Sequence, residues 1–429
     1  ADHRRIIVPI TAQELGSRLR AARESCNLTQ DDVAKHLGVS RSTVAQIELG
    51  NRAVSSIELD RLAFFFGRDI RDFVSESFEE EDALAALFRA EPQIASQEDV
   101  AASLRACVAL GREITNLEKI LGLDRELSAA VSYQVPVPRS RWEAIQQGER
   151  AGDQERRRLG LGSAPAPSLE ELLETQAVRT GVVDLPDGVS GLTVNNRSAG
   201  IFIVANRRHA PVRRRFSFAH EYAHVLFDRR LLGTVSRVED RDEMIEVRAN
   251  AFAAAFLMPE EGVRRFIDLL GKGKPSRSSA QVFDEDGSVQ AESRAEPGTQ
   301  EIQVYDLVHL AHHYGVSRLA ALFRLRNLRL VSQPEFDQLK AAEEAGRGRE
   351  LASLMSLPDL TDREDKNGFR HRVLALALEG FRRDQITLSK LYELAALLSM
   401  TRKEVDQLLD QAPVSIAECK FAADSRGRV

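Results

Sequence analysis

Apolar side chains recur at helical spacing through most of the chain, and an extended rhythm interrupts them between residues 178 and 205. Leu15, Leu19 and Ala22 line one face of a first helix and leave Arg18, Arg20 and Arg23 to the other. Thr29 caps a helix over about 30–37 with Val33, Ala34 and Leu37 on its apolar side. Gly38-Val39 turns the chain, and Ser40 caps a helix over 41–49 in which Val44 and Ile47 face inward. Arg41, Ser42, Thr43 and Gln46 face out. Helical patterning resumes at Ala83 and continues to about Leu123, where Cys107, Leu110, Ile114, Leu117 and Leu121 form a continuous seam. That seam suits a dimer helix and an intrachain core face equally.

Pro136-Val137-Pro138 marks a boundary, followed by a long polar helix over 141–159 and a helix capped by Ser168. The β-branched stretches Val178 to Leu185, Val189 to Val194 and Gly200 to Ala205 predict a small antiparallel sheet, with a hairpin turn at Asn195-Asn196-Arg197-Ser198. A mostly buried helix over 217–226 and a second one ending at Met258-Pro259 come next. Residues 271–300 are polar, Gly/Ser/Pro-rich and aperiodic, which predicts a disordered insertion. Beyond it, Leu307, Leu310, Ala311, Leu319, Leu322 and Leu325 supply core to a stretch that mimics a turn between two helices, with a packing role expected. The C-terminal region alternates polar linkers with amphipathic helices, one capped by Thr401, expected to pack as an appendage; residues 412–429 read as a frayed tail.

Composition narrows the classes. A chain of 429 residues with 43% hydrophobic content divides into about three globular domains. The net charge of −6 excludes a globally basic nucleic-acid binder, and residues 1–73 carry 11 Lys/Arg against 10 Asp/Glu, so charge alone does not signal DNA. The acidic run Glu76, Glu79, Glu80, Glu81 and Asp82 reads as a solvated helix start or linker. Cys26, Cys107 and Cys419 have no paired spacing and read as reduced thiols. With no apolar signal core in Ala1 to Gln13 and no apolar run long enough to span a bilayer, a cytoplasmic protein without membrane contact is expected.

Two constellations carry chemistry. The helix, glycine-containing turn and second helix with outward polar side chains form a helix-turn-helix arrangement suited to a DNA major groove. In the second, His220-Glu221-Tyr222-Ala223-His224 places two histidines four residues apart on one helical face, with a glutamate beside them. That spacing suits a catalytic metal: zinc acidifies a water, and the glutamate moves the proton to the leaving amine. A third ligand is needed. Glu246 and Asn250 share a face of the following helix, which would make Asn250 a support for a ligand; Glu239, Asp242 and Glu243 compete for the role.

"LTQDDVAKHLGVSRSTVAQIELGNR" resembles the Cro/phage-repressor-like (XRE) family over about residues 12–73. Carried over by position, the resemblance implies that Gln30, Arg41, Ser42, Thr43 and Gln46 face DNA bases, with Arg18, Arg23 and Arg52 on phosphates. "RRRFSFAHEYAHVLFD" followed by "EVRANAFAAAFLMP" resembles the ImmA/IrrE metallopeptidases from about Arg139 to Leu330, which implies Glu246 as the third ligand. Members of that family cleave helix-turn-helix repressors. The fold expected is therefore multidomain and mainly α: an all-α helix-turn-helix domain (1–73), a helical linker or dimerisation region (74–138), an α+β zincin-like metallopeptidase with a small antiparallel sheet (139–330) and a helical C-terminal region (331–429). The function expected is a DNA-binding regulator with a zinc- or manganese-dependent endopeptidase, Glu221 being the base. Its partners would be a double-stranded operator, a second copy of the chain, and as substrate a repressor or the chain itself, in a stress, mobile-element or defence response. The competing expectation is a transcription factor whose peptidase-like domain senses a signal and cleaves little.

Overall fold

The computed structural model describes residues 10–26, 28–68, 70–75, 78, 83–123, 131–196, 199–228, 233–237, 239–273, 278–284, 287–293, 296, 299–357, 368–398 and 400–411. The acidic run from Glu76 to Asp82, the tip of the expected hairpin at Arg197-Ser198 and the tail after residue 411 lie outside them.

The head consists of α1 (Ala12–Ser25), α2 (Gln30–Leu37), α3 (Arg41–Glu48), α4 (Ser56–Phe65) and α5 (Ile70–Val74). Its local signals act as the sequence predicts. Thr29 and Asp32 form a reciprocal capping box on α2, Gly38 takes the left-handed conformation (φ 72°) that ends it, and the Ser40 hydroxyl accepts from the Thr43 N–H to start α3. Two helices follow in close succession, α6 (Ala83–Ala90) and α7 (Pro92–Ser96), before the long α8 (Glu98–Ile120).

The second half begins with α9 (Arg141–Arg158) and α10 (Leu169–Thr175), then β1 (Val178–Val183), β2 (Val189–Asn196), β3 (Gly200–Asn206), α11 (Pro211–Phe227), β4 (Gly233–Arg237), α12 (Met244–Leu257) and α13 (Glu260–Leu269). The strands lie in the order β1-β3-β2-β4. β2 is antiparallel to both neighbours, as expected, but β1 is parallel to β3, so the sheet is mixed and not antiparallel. The loop from β1 to β2 spans the end of β3, and a buried asparagine holds it. A chain leaving β1 must cross to reach β2, and the crossing loop buries backbone groups that need partners. Asn206 supplies them: its amide donates to the Val189 carbonyl (2.8 Å) and its oxygen accepts from the Leu185 N–H (3.3 Å).

Strand alternation gives the sheet two owners. Ile201, Ile203 and Ala205 face the core built on α11 and α12, whereas Phe202, Val204, Leu192 and Val194 face the core of the head, α6 and α8. The head's Leu62 and Phe66 thus belong to the same cluster as the strands, and this core runs across the boundary expected at residue 138.

The remainder comprises β5 (Ser278–Asp284), β6 (Gly287–Ser293), α14 (Val304–Tyr314), α15 (Arg318–Asn327), α16 (Gln333–Glu344), α17 (Arg347–Leu354), α18 (Gly368–Arg382), α19 (Leu388–Leu397) and α20 (Arg402–Gln411). The segment expected to be disordered therefore contains two paired antiparallel strands. α14 and α15 do form a second glycine-turned helix pair, and Leu307, Leu310, Leu322 and Leu325 are buried in the peptidase-side core, although Leu319 is exposed. The α8 seam is also settled. Ile114, Leu117 and Leu121 are buried against Val373, Leu376, Leu391 and Leu394 of α18 and α19, so the seam is an intrachain core face. None of the described helices is long and apolar enough to cross a membrane.

Candidate metal centre

α11 and α12 are built to lie against each other, and their contact places the chemistry. Pro211 occupies the first turn of α11, where its missing N–H costs nothing, and every residue from Ser217 to Leu226 is buried. The Tyr222 hydroxyl, inside the His-Glu-x-x-His stretch, donates to Glu155 of α9 at 2.5 Å, and Tyr133 donates to the other oxygen of the same carboxylate at 2.8 Å. This network, with Glu155 and Tyr222 fully buried, holds α11 in its rotation against α9.

With that rotation set, His220, His224 and Glu246 converge, each offering one ligand atom, all within 4.8 Å of one another. His220 Nε2 lies 3.0 Å from Glu246 Oε2, and His224 Nε2 lies 3.2 Å from Glu246 Oε1 and 3.3 Å from His220 Nε2. The outer nitrogens are committed elsewhere: His220 Nδ1 to Asn250 Oδ1 (3.0 Å) and His224 Nδ1 to Asp228 Oδ2 (2.9 Å). Oxygen atoms accept only from N–H, so both protons sit on Nδ1 and both Nε2 lone pairs point inward. Two imidazole nitrogens and a carboxylate facing one another are a donor set that a metal cation would fit, and without one protons on Nε2 fill the same role.

The electrostatics are those of a buried histidine–carboxylate ion pair. Burial opposes a charged His224, yet its bonds to Asp228 and Glu246 and the charge of Glu221 push its pKa up to about 10. Burial likewise opposes a charged Glu246, and the two histidines hold it down to about 2. A set of two imidazoles and one carboxylate that leaves a position open is the donor set of hydrolytic zinc, with manganese as a harder alternative.

Glu221 is fully buried beside this cluster. The Thr193 hydroxyl of β2 donates to its Oε2 at 2.8 Å, while Oε1 has no hydrogen-bond partner. Gly191, also on β2, is what leaves room: a Cβ there would stand 2.9 Å from Glu221 Oε1. Asn250 reaches this cluster only through His220 Nδ1. Glu239, Asp242 and Glu243 are exposed and outside the cluster, and His309, His312 and His313 also lie outside it. Sequence reasoning missed Thr193 and Asp228. The second had a signal, since it lies four residues beyond His224 on the same helical face, and Arg248 holds it in turn at 2.7 Å.

In the head, Arg41, Ser42 and Gln46 are exposed on α3, and Thr43 and Arg52 are half-buried. Gln30 is tied to Glu48 at 2.9 Å. Two expected phosphate contacts need correction. Arg23 is buried in a two-pronged pair with Glu48 (2.6 and 3.1 Å), and Arg18 is buried with its guanidinium on the Phe73 and Ser75 carbonyls (2.9 and 2.6 Å). Long cationic stems on a helix facing the core serve its packing before they serve a ligand.

Comparison with known proteins matches these two constellations. A family model described as a helix-turn-helix domain matches residues 14–72. An uncharacterized HTH-type transcriptional regulator of Methanocaldococcus jannaschii is 44% identical over 64 residues, which is 15% of this chain and 97% of that protein. The chain belongs to the helix-turn-helix family. A second family model, described as an IrrE N-terminal-like domain of the M78 peptidases, matches residues 183–272. That span takes in His220, Glu221, His224 and Glu246 together with β2, β3 and β4. The IrrE-like domain and the helix-turn-helix head thus share one chain and, through the sheet, one core.

Proposed function

We propose that this helix-turn-helix protein is a cytoplasmic regulator of transcription that also acts as a metal-dependent endopeptidase on a repressor-type protein, in a stress, mobile-element or defence response. The observation that carries the peptidase reading is the convergence of His220, His224 and Glu246 on one point, with a buried carboxylate oxygen of Glu221 left without a partner beside it. Zinc, when held by those three residues, supplies Lewis acidity towards a peptide carbonyl and a water. Glu221 takes the proton from the attacking water at Oε1 and passes it to the leaving amine, while Thr193 keeps Oε2 in place. Asn250 and Asp228 hold the two imidazoles in the tautomer that leaves Nε2 open.

The direct test incubates the protein with zinc or manganese and the helix-turn-helix repressors encoded beside it, and looks for fragments by mass spectrometry. No cut in any of them, by a protein that still binds its operator, removes the reading. Gly191→Ala probes the same site from behind. The added methyl must displace Glu221, so cleavage is expected to fall about tenfold to a hundredfold with zinc content unchanged. Equal turnover would show that the position of Glu221 is not set from β2.

For the head, the proposal is that α3 enters the major groove of an operator, with Arg41 and Gln46 on base edges, Arg52 on a phosphate and a second copy on the other half-site. Arg41→Ala and Gln46→Ala are each expected to lose about 1–3 kcal/mol of sequence discrimination, read by footprinting or anisotropy against mutated operators. An unchanged preference would remove that assignment.

A second reading is favoured by one observation. Glu221 and His224 are 0% and 1% exposed, so the centre is closed to a polypeptide in this conformation. A domain that binds metal, changes shape and cleaves nothing would look the same, and the fragment assay separates the two.

A further inference from the structure

β4 lies beside β2 at the edge of the sheet, and its Val235 packs with the head-side core. Alternation then puts Thr234 and Ser236 on the opposite face, the one over α11. In the strand register Thr234 stands opposite Thr193 and Ser236 opposite Gly191, the two β2 positions that face Glu221. Three hydroxyls and a glycine on neighbouring strands therefore surround one carboxylate. Its two oxygens are not equally provided for. Glu221 Oε2 accepts from the Thr193 hydroxyl at 2.8 Å. Glu221 Oε1, Thr234 Oγ1 and Ser236 Oγ are buried and have no hydrogen-bond partner among the described residues.

Buried groups of this kind are almost always paired, with protein or with water. Ser236 is 2% exposed, so its hydroxyl cannot turn to bulk solvent. A Cβ on Gly191 would stand 2.9 Å from Glu221 Oε1, and directly opposed residues of antiparallel strands have Cβ atoms about 4.5–5.5 Å apart. That spacing leaves Ser236 Oγ and Glu221 Oε1 about one water apart, since two hydrogen bonds in series span about 5.5 Å. A buried water needs two to four polar partners, and three converge here. We propose that Ser236 is a positioning residue for Glu221: its hydroxyl, with that of Thr234, holds a water in the space that Gly191 leaves, and the water donates to Oε1. This rests on the peptidase reading. Each oxygen of the carboxylate is then held from the sheet, Oε2 by Thr193 directly and Oε1 through the water, which is nearly as good as a direct bond. The carboxylate cannot turn about its last bond, and Oε1 keeps a second lone pair for the proton of the attacking water.

The experiment compares the full, zinc-loaded chain with Ser236→Ala and with Ser236→Thr, which keeps the hydroxyl. Infrared difference spectra between each protein and its Glu221→Gln counterpart isolate the carboxyl band of Glu221. That band is expected to move in the alanine background and to keep its wild-type frequency in the threonine background. In cleavage assays Ser236→Ala is expected to lower kcat about tenfold with KM and zinc content unchanged, because a loosely held base leaves substrate binding alone; Ser236→Thr is expected to restore kcat. Circular dichroism melts check folding, and if the threonine variant does not fold, the band and kcat of the alanine variant decide. A wild type that cuts no repressor removes the peptidase reading, while the band still tells whether the water is held. An unmoved band overturns the proposal. So does, in a wild type that cleaves, an unchanged kcat for Ser236→Ala, a loss that lies wholly in KM, or a folded Ser236→Thr that behaves as the alanine variant does.

Discussion

Glu221→Gln is expected to lower cleavage of a protein substrate by about 10²- to 10⁴-fold while the zinc content of the purified chain stays at the wild-type level. The amide keeps the shape of the carboxylate and an oxygen to accept from Thr193, so the packing against β2 survives. What disappears is the proton acceptor. Since Glu221 is not among the three converging ligand residues, metal should remain. The measurement pairs single-turnover cleavage with elemental analysis. Identical fragments at identical rates from the variant would mean that the cuts come from a contaminant or from another base, and the assignment of Glu221 would fall.

Removing a ligand should produce a different pattern. With Glu246→Ala the cluster keeps two imidazoles and loses the carboxylate that bridges them at 3.0 and 3.2 Å. Zinc is then expected to be lost on dialysis. In the wild type, a metal that binds only the folded chain stabilises it by about 2.7 kcal/mol when free metal is a hundred times its dissociation constant. Scanning calorimetry should therefore show a melting temperature that rises with zinc and falls with chelator in the wild type, and that ignores both in the variant. Glu243→Ala is the control, because that carboxylate is exposed and stands apart from the cluster. If the Glu243 variant loses zinc and the Glu246 variant keeps it, the donor set is wrong.

Much of this was legible in the chain itself, and what was not has a common cause. Capping residues act within a few positions of themselves, so Thr29, Ser40 and Ser168 marked helix starts correctly. The histidine pair likewise needs only one helical turn. Faces could be read from periodicity, but periodicity does not name what covers a face. Leu192 and Val194 were evidently inward-facing; that they would meet α6 and the head was invisible. The same blindness put Arg18 and Arg23 on DNA, because an arginine opposite an apolar stripe looks solvent-facing until a second core, or a Glu48 twenty-five residues away, claims it. The parallel placement of β1 was hidden too, because β3 enters between β1 and β2 and Asn206 meets the connecting loop from about twenty residues away. β4 was missed because Val235 is its one aliphatic residue, too little for an alternating pattern to register.

A sheet clad on both sides by helices from distant parts of the chain also limits what proteolysis can accomplish. A cut in the connection between α8 and α9 would sever the backbone but would not free α6 and α8, because Leu192, Val194, Phe202 and Val204 would still be packed in one core with them. Clipping that connection alone would therefore leave this core assembled, so a cut meant to free the head would have to fall elsewhere.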